Sequence, residues 1–428
     1  MLSAFRNAFK IPELRGKILF TVAIIAVYRL GSHLPVPGVD FDAVQDYLQN
    51  PAARDPNGAF TLINLFSGGA LTQFAIFALG IMPYITSSII MQLLGVVIPR
   101  LEQLQKEGES GRKKIQQYTR YVTVFLALLQ SASIVQLAHN QGILPLDIFP
   151  GLTPGRFALA VLTLTAGTAL IMWLGELITQ RGVGNGMSIM IFSAIVATLP
   201  SEGANILRVN KGFIFGLVCF LGLLIIVAVI FVEQAQRRIP VQYAKRMVGR
   251  KMYGGQSTYI PLKVNQAGVI PIIFASSLLY IPVLLASIVN KDWLTDFVEK
   301  FARTGSHPLY IITYFILIIA FAYFYNSIAF NPVDTADNMK KYGGFIPGIR
   351  PGRQTAEHLN YILTRITLPG AVFLGAVAIL PFIALAAGNV QSFPFGGTAI
   401  LITVGVGLET MKQIESQLLM RNYEGFLR

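Results

Sequence analysis

Ten stretches of this chain are too apolar and too long to face water, and short charged blocks separate them. They lie near 17–32, 74–98, 121–138, 157–178, 186–200, 213–232, 268–289, 309–330, 366–386 and 398–413. A helix crossing a bilayer needs about 20 predominantly apolar residues. Within hydrocarbon, only helices and closed barrels satisfy every backbone N–H and C=O. The pattern therefore predicts an all-α polytopic membrane bundle of ten transmembrane helices. The fifth and tenth runs are the shortest, as suits helices packed among others. Composition agrees, with 13% charged residues against about 25% in ordinary soluble domains. Ten spans use roughly half the chain, so no separate soluble domain is expected.

The charges orient the bundle. With a cytoplasmic N-terminus, 26 of the 34 Lys and Arg fall on the inner side and 8 on the outer. Basic residues concentrate in cytoplasmic loops, so both termini are expected in the cytoplasm of a multi-pass inner-membrane protein. The net charge of +13 then faces anionic lipid and anionic partners. The single cysteine, Cys219, lies in an apolar run, which excludes an intrachain disulfide. No A-x-A-like cleavage site follows the first run, so no cleavable signal is expected. At the N-terminus, Phe5 and Phe9 stand one helical turn apart beside Arg6 and Lys10. That stretch reads either as a surface helix on the membrane or as a charged leader to the first span.

Several connections are more than connections. Phe60, Thr61, Leu62, Ile63, Asn64, Leu65, Phe66 and Ser67 form an apolar segment too short to span, and Gly68 and Gly69 part it from the second span. Backbone at membrane depth without a full span is tolerated only inside protein or beside a water-filled cavity. The segment reads as a short re-entrant helix on a flexible hinge, or else as buried packing in an outer loop. The cytoplasmic loops 233–266 and 331–365 are longer than connection requires. The first carries Arg237, Arg238, Lys245, Arg246, Arg250, Lys251 and Lys263; the second carries Lys340, Lys341, Arg350 and Arg353 amid turn-forming glycines and prolines. Both suit docking of a cytoplasmic partner, although basic loops also simply satisfy the orientation rule. Gly108–Lys114 reads as a basic turn.

Catalytic patterns are missing. There is no GxxxxGK phosphate loop, the glycines at 182, 184 and 186 lack dinucleotide-binding spacing, and the four histidines form no metal pair or dyad. No enzyme activity and no cofactor are expected. The spans hold almost no charge: Glu176 lies near an inner end and Arg29 near an outer one. Ion-coupled carriers normally place ionisable or ion-coordinating groups near the midplane. A small-solute secondary transporter is thus the weaker alternative, and any conduit would have apolar or weakly polar walls.

A series of long motifs then resembles the SecY family of protein-conducting channels. In order they are IPELRGKILFT, INLFSGGALTQFAIFALGIMPYITSSIIMQLL, KEGESGRKKIQQYTRY, ITQRGVGNGMSIMIF, RRIPVQYAKR, STYIPLKVNQAGVIPIIFASS, NPVDTADNMKKYGGFIPGIRPGRQT and GGTAILI. The resemblance implies two inverted five-helix halves, residues 1–205 and 206–428, around a central hourglass pore. It implies a pore ring of Ile81, Ile85, Met187, Ile191, Ile270, Ile273 and Ile402, with Met187 where most members have Ile. Residues 60–67 would be the plug and Gly68-Gly69 its hinge. Thr86 and Gln130 would sit at a lateral gate between spans 2–3 and 7–8. Arg350, and after it Arg246, look like docking residues. The implied partners are SecE, SecG, the SecA ATPase, a translating ribosome, signal sequences, unfolded polypeptide substrates and membrane lipid. An apolar ring resists wetting, and so blocks ions, until a peptide parts it.

Overall fold

The structure is a computed structural model that describes residues 9, 11–40, 67–139, 153–209, 212–243, 246–248, 251–253, 257–289, 308–388 and 397–426. All ten apolar runs lie wholly or mostly within helices. These are α1 (Pro12–Gly31), α2 (Met82–Val97), α4 (Glu109–His139), α5 (Pro154–Arg181), α6 (Gly186–Val209), α7 (Gly212–Gln234), α8 (Ile270–Val289), α9 (Pro308–Ala329), α11 (Arg353–Gly388) and α12 (Gly397–Phe426). Among the described residues, two short polar helices complete the set, α3 (Pro99–Lys106) and α10 (Pro332–Lys341).

Local chemistry fixes several starts. Pro12 and Pro154 occupy first-turn positions, where a missing N–H costs nothing. Thr153 caps α5 by accepting from the Arg156 N–H. Asn331 caps α10 by accepting from the Val333 and Asp334 N–H groups, while Lys340 and Lys341 lie at its negative end. Pro99 confines Ile98 to extended backbone, and the chain turns by 100° between α2 and α3.

Three helical stretches, Pro154–Arg181, Pro308–Lys341 and Arg353–Leu380, are each long and apolar enough to cross a membrane, and the bent α2–α3 pair qualifies if taken as one span. Other helices depart from the expected bounds. The second begins at Met82, because residues 68–81 fold as successive turns. The fifth and tenth are not short: α6 has 24 residues and α12 has 30. Both run past their apolar stretches into polar sequence that a helix carries equally well in water, so the boundary expected at 205 falls inside α6. The basic turn expected at Gly108–Lys114 is also corrected. Helix α4 starts at Glu109, so Arg112, Lys113 and Lys114 ride its first turns.

Helix α5 packs against α1, α4 and α6, and α2 packs on α4. Separately, α8, α9, α11, α12 and α7 form a second packed series. The series meet where α8 touches α2 and α4, and where α6 touches α12 and α7.

The all-α expectation needs one correction. The loops 233–266 and 331–365 build a three-stranded antiparallel sheet, ordered β4-β1-β5, from β1 (Gln236–Tyr243), β4 (Ser257–Lys263) and β5 (Gly344–Phe345). Its register runs from Gln236↔Lys263 to Gln242↔Ser257, with Gln242 opposite Phe345 on the other edge. A small hairpin, β2 (Arg246–Val248) and β3 (Lys251–Tyr253), lies between β1 and β4 in sequence. Ile239, Val241 and Leu262 bury a core with Met339 and Ile346, and with Leu359 and Ile362 of α11. Strand alternation this short, interrupted by Pro240 and Pro261, gives little periodic signal.

Candidate functional site

All seven candidate ring residues belong to one hydrophobic cluster. Ile81, Ile85, Ile191, Ile273 and Ile402 are buried, with Ile402 wholly so, and Met187 and Ile270 pack against them half-buried. Four helices bring them together. Ile81 precedes α2 and Ile85 lies in its first turn, where the Ile85 N–H donates to the Ile81 carbonyl. Met187 and Ile191 lie one turn apart on α6, Ile270 and Ile273 open α8, and Ile402 comes from α12. Spacings of three and four residues put each pair on one helix face. The cluster joins both packed series where they meet.

Beside it lies the glycine pair expected to act as a hinge. Gly68 and Gly69 have φ of 67° and 87°, a left-handed backbone that glycine adopts without strain. The last residues of α1 hold this hinge: the Tyr28 hydroxyl donates to the Ser67 carbonyl at 3.2 Å, and Arg29 Nη1 donates to the Gly68 carbonyl at 3.1 Å. The Ser67 hydroxyl accepts from the Leu71 N–H at 3.2 Å. Tyr28 stacks on Phe77 with ring centroids 5.7 Å apart. A Cβ on Gly68 would lie 3.0 Å from the Ala194 Cα, so the hinge also abuts α6 one turn beyond Ile191. Phe60–Phe66, the remainder of the expected plug, lie outside the described residues.

Tyr28 and Arg29 are functional candidates that motif spacing did not single out. The usable signal was Arg29 itself, a lone charge ending an apolar run. Arg29→Ala combined with Tyr28→Phe is expected to free the hinge. A charged hydrogen bond contributes about 1.5–3 kcal/mol net and a neutral one about 1. A cysteine replacing the fully buried Ser67, in a Cys219→Ser background, should then react with a soluble maleimide roughly tenfold faster than with Tyr28 and Arg29 present. Equal labelling rates would show that these bonds do not hold the hinge.

The SecY family pattern matches residues 75–411. The chain belongs to the SecY family. It is 57% identical to the protein translocase subunit SecY of Mycobacterium bovis and 59% identical to that of Streptomyces galbus, each over the full length of both chains. Its fold resembles a solved structure described as a protein-conducting channel, at 19% identity and TM-score 0.65. It also resembles Sec61 in the canine ribosome-channel complex from the endoplasmic reticulum, at 18% identity and TM-score 0.62. Each likeness covers 96% of both chains.

The remaining expected positions of this SecY-family chain divide by location. Thr86 on α2 is half-buried, its hydroxyl donating to the Met82 carbonyl at 3.0 Å, and Gln130 on α4 is buried. Both helices touch α8. Arg350 is exposed between Gly348 and Gly352, both of positive φ, and its carbonyl accepts from the Thr355 hydroxyl at 3.0 Å. Arg246 and Lys251 sit in the β2–β3 hairpin, opposite Tyr253 and Val248. Arg250 and residues 1–8 lie outside the described residues.

The second overlooked feature is a partly buried ion pair. Arg120 on α4 grips Glu176 on α5 with two bonds, Nε to Oε1 at 2.8 Å and Nη2 to Oε2 at 2.7 Å, and Gln116 Nε2 adds a third at 3.2 Å. Glu176 is the lone acid of its apolar run, and that was the legible hint.

Proposed function

We propose that this chain is the pore of a protein-conducting channel, passing unfolded secretory polypeptides across the cytoplasmic membrane and releasing apolar segments sideways into lipid. The observation that carries this reading is the gathering of the seven apolar side chains into one hydrophobic cluster, placed where two packed helix series meet. Family membership and the likeness to channel structures support it, and nothing found favours a small-solute transporter.

The finer picture has ten spans in two inverted halves, 1–205 and 206–428, with both termini cytoplasmic by the distribution of Lys and Arg. The seven residues act as the ring, residues 60–67 as the plug and Gly68-Gly69 as its hinge. Thr86 and Gln130 lie along the gate where α2 and α4 face α8. A signal sequence entering there partitions by hydrophobicity, because each buried CH₂ favours lipid by about 0.8 kcal/mol. No phosphate loop is present in the sequence, so a partner supplies the energy. SecA or a translating ribosome would dock at the loop sheet through Arg350, Arg246, Arg250 and Lys251, with SecE bracing the halves and SecG as an accessory. The solved neighbour in a ribosome-channel complex supports the ribosome as one such partner.

The test is site-specific crosslinking to a stalled secretory polypeptide. Single Ile85→Cys, Ile402→Cys and Phe66→Cys variants in a Cys219→Ser background are reconstituted with SecE, SecA and ATP. Crosslinks from positions 85 and 402 that require ATP, with a changed environment at 66, are expected. Absence of crosslinks from a folded, SecA-bound preparation would remove the pore assignment.

A further inference from the structure

Six of the seven constriction residues are isoleucine, and the exception has a specific partner. Met187 opens α6, where its N–H donates to Asn185 Oδ1 at 3.1 Å. Opposite it on α5 stands Gly175. A Cβ built on Gly175 would lie 2.5 Å from the Met187 Sδ, 3.2 Å from its Cε and 3.7 Å from its Cγ. The thioether therefore lies in the furrow left by the missing side chain. That furrow has firm walls. A Cβ on Gly186 would run into the Gly175 carbonyl, so α5 and α6 touch backbone to backbone. The Thr179 hydroxyl donates to the Gly175 carbonyl at 3.1 Å and accepts from the Gly186 N–H at 2.9 Å. The next residue along α5 is Glu176, fixed by Arg120 and Gln116.

We propose that Gly175 is a positioning residue for the constriction: its furrow seats the Met187 thioether, and residue 175 thereby sets how tightly the ring closes. The inference rests on the ring reading above. Isoleucine is branched at Cβ and holds its rotamer unaided. Methionine has three rotatable bonds and fills whatever gap it is offered. A methionine in the ring seals only if something outside the ring confines it, and Gly175 does so. The contact at 2.5 Å lies far inside van der Waals separation, so an alanine at 175 evicts the thioether. The γ carbon, at 3.7 Å, is at ordinary contact distance, so a valine at 187 would touch the added methyl without clashing with it.

Resting ion conductance of the reconstituted channel complex in planar bilayers tests this in four chains: the parent, Gly175→Ala, Met187→Val and the double variant. Ile402→Gly serves as the ring control. Displacing the thioether from its seat by Gly175→Ala is expected to raise resting conductance roughly tenfold in the parent, a shift of about 1.4 kcal/mol against the closed state, and to add nothing in the Met187→Val background. The double variant carries the same alanine, so its behaviour also reports whether the fold accepts that substitution. A leaking Ile402→Gly with a silent Gly175→Ala overturns the seat and leaves the ring standing. An equal rise in both backgrounds also overturns it, because Gly175 would then act by general packing. A silent Ile402→Gly removes the ring itself, and this inference with it.

Discussion

Ile402→Gly is expected to raise the resting conductance of the reconstituted channel at least ~10-fold. Ile402 has no exposed surface and sits where α12 enters the cluster shared with α2, α6 and α8. Truncating a buried isoleucine to alanine costs about 2–5 kcal/mol through lost burial and the cavity left behind. Glycine within a helix adds roughly 0.5–1 kcal/mol. On the ring reading proposed above, the cluster contacts are lost when the channel opens, so most of the cavity cost falls on the closed state. A closed state weakened by even about 1.4 kcal/mol shifts the closed-to-open ratio tenfold. Single-channel recording without substrate reads this directly, and a conductance equal to the parent's would show that Ile402 does not seal. Ile402→Leu nearly conserves volume and should cost less than about 1.5 kcal/mol, so its effect should be much the smaller.

The second large effect is on stability. Arg120→Ala leaves Glu176 as a lone carboxylate with its side chain only 10% exposed, against 35% for Arg120. Breaking a buried pair by removing one partner typically costs about 3–5 kcal/mol. Partial exposure of Arg120 and the surviving Gln116 bond reduce that, so about 2–4 kcal/mol is expected here. The Arg120→Leu, Glu176→Leu double variant should recover most of the loss, since apolar replacement of both partners is often near neutral. Thermal unfolding of the purified chain in detergent separates the cases. A single variant as stable as the parent would show that the pair contributes little to holding α4 against α5.

Helix existence was legible because hydrocarbon-length apolar runs admit few alternatives, and every such run lies wholly or mostly in a helix. Helix ends were not. The sequence marks where apolar character stops, whereas α6 continues through Ser201 and Glu202, and α4 begins twelve residues before the apolar run recommences. The sheet was invisible, since β5 has two residues and takes its partner from a loop about a hundred residues away. The seven ring candidates came from motif resemblance, and helical spacing alone would have left them as ordinary packing. Tyr28 and Gly175 were missed for a common reason: their roles depend on backbone or a flexible side chain remote in sequence, and no periodicity encodes that. Arg29 and Glu176 had a signal, a solitary charge in an apolar run, but their partners lie on other elements.

The sheet gives the two long loops a shared mechanical fate. Strand β1 is hydrogen-bonded to β5 on one side and β4 on the other, so a tug on the Arg350 turn is felt in the hairpin loop as well. Strand β4 ends at Lys263, seven residues before Ile270. Asn265 stiffens that link, its Nδ2 donating both to Glu233 Oε2 at 2.7 Å and to the Gly268 carbonyl at 3.1 Å. The two loops are thus one handle on a short shaft, and whatever grips either of them has leverage on the end of α8 that carries Ile270 and Ile273.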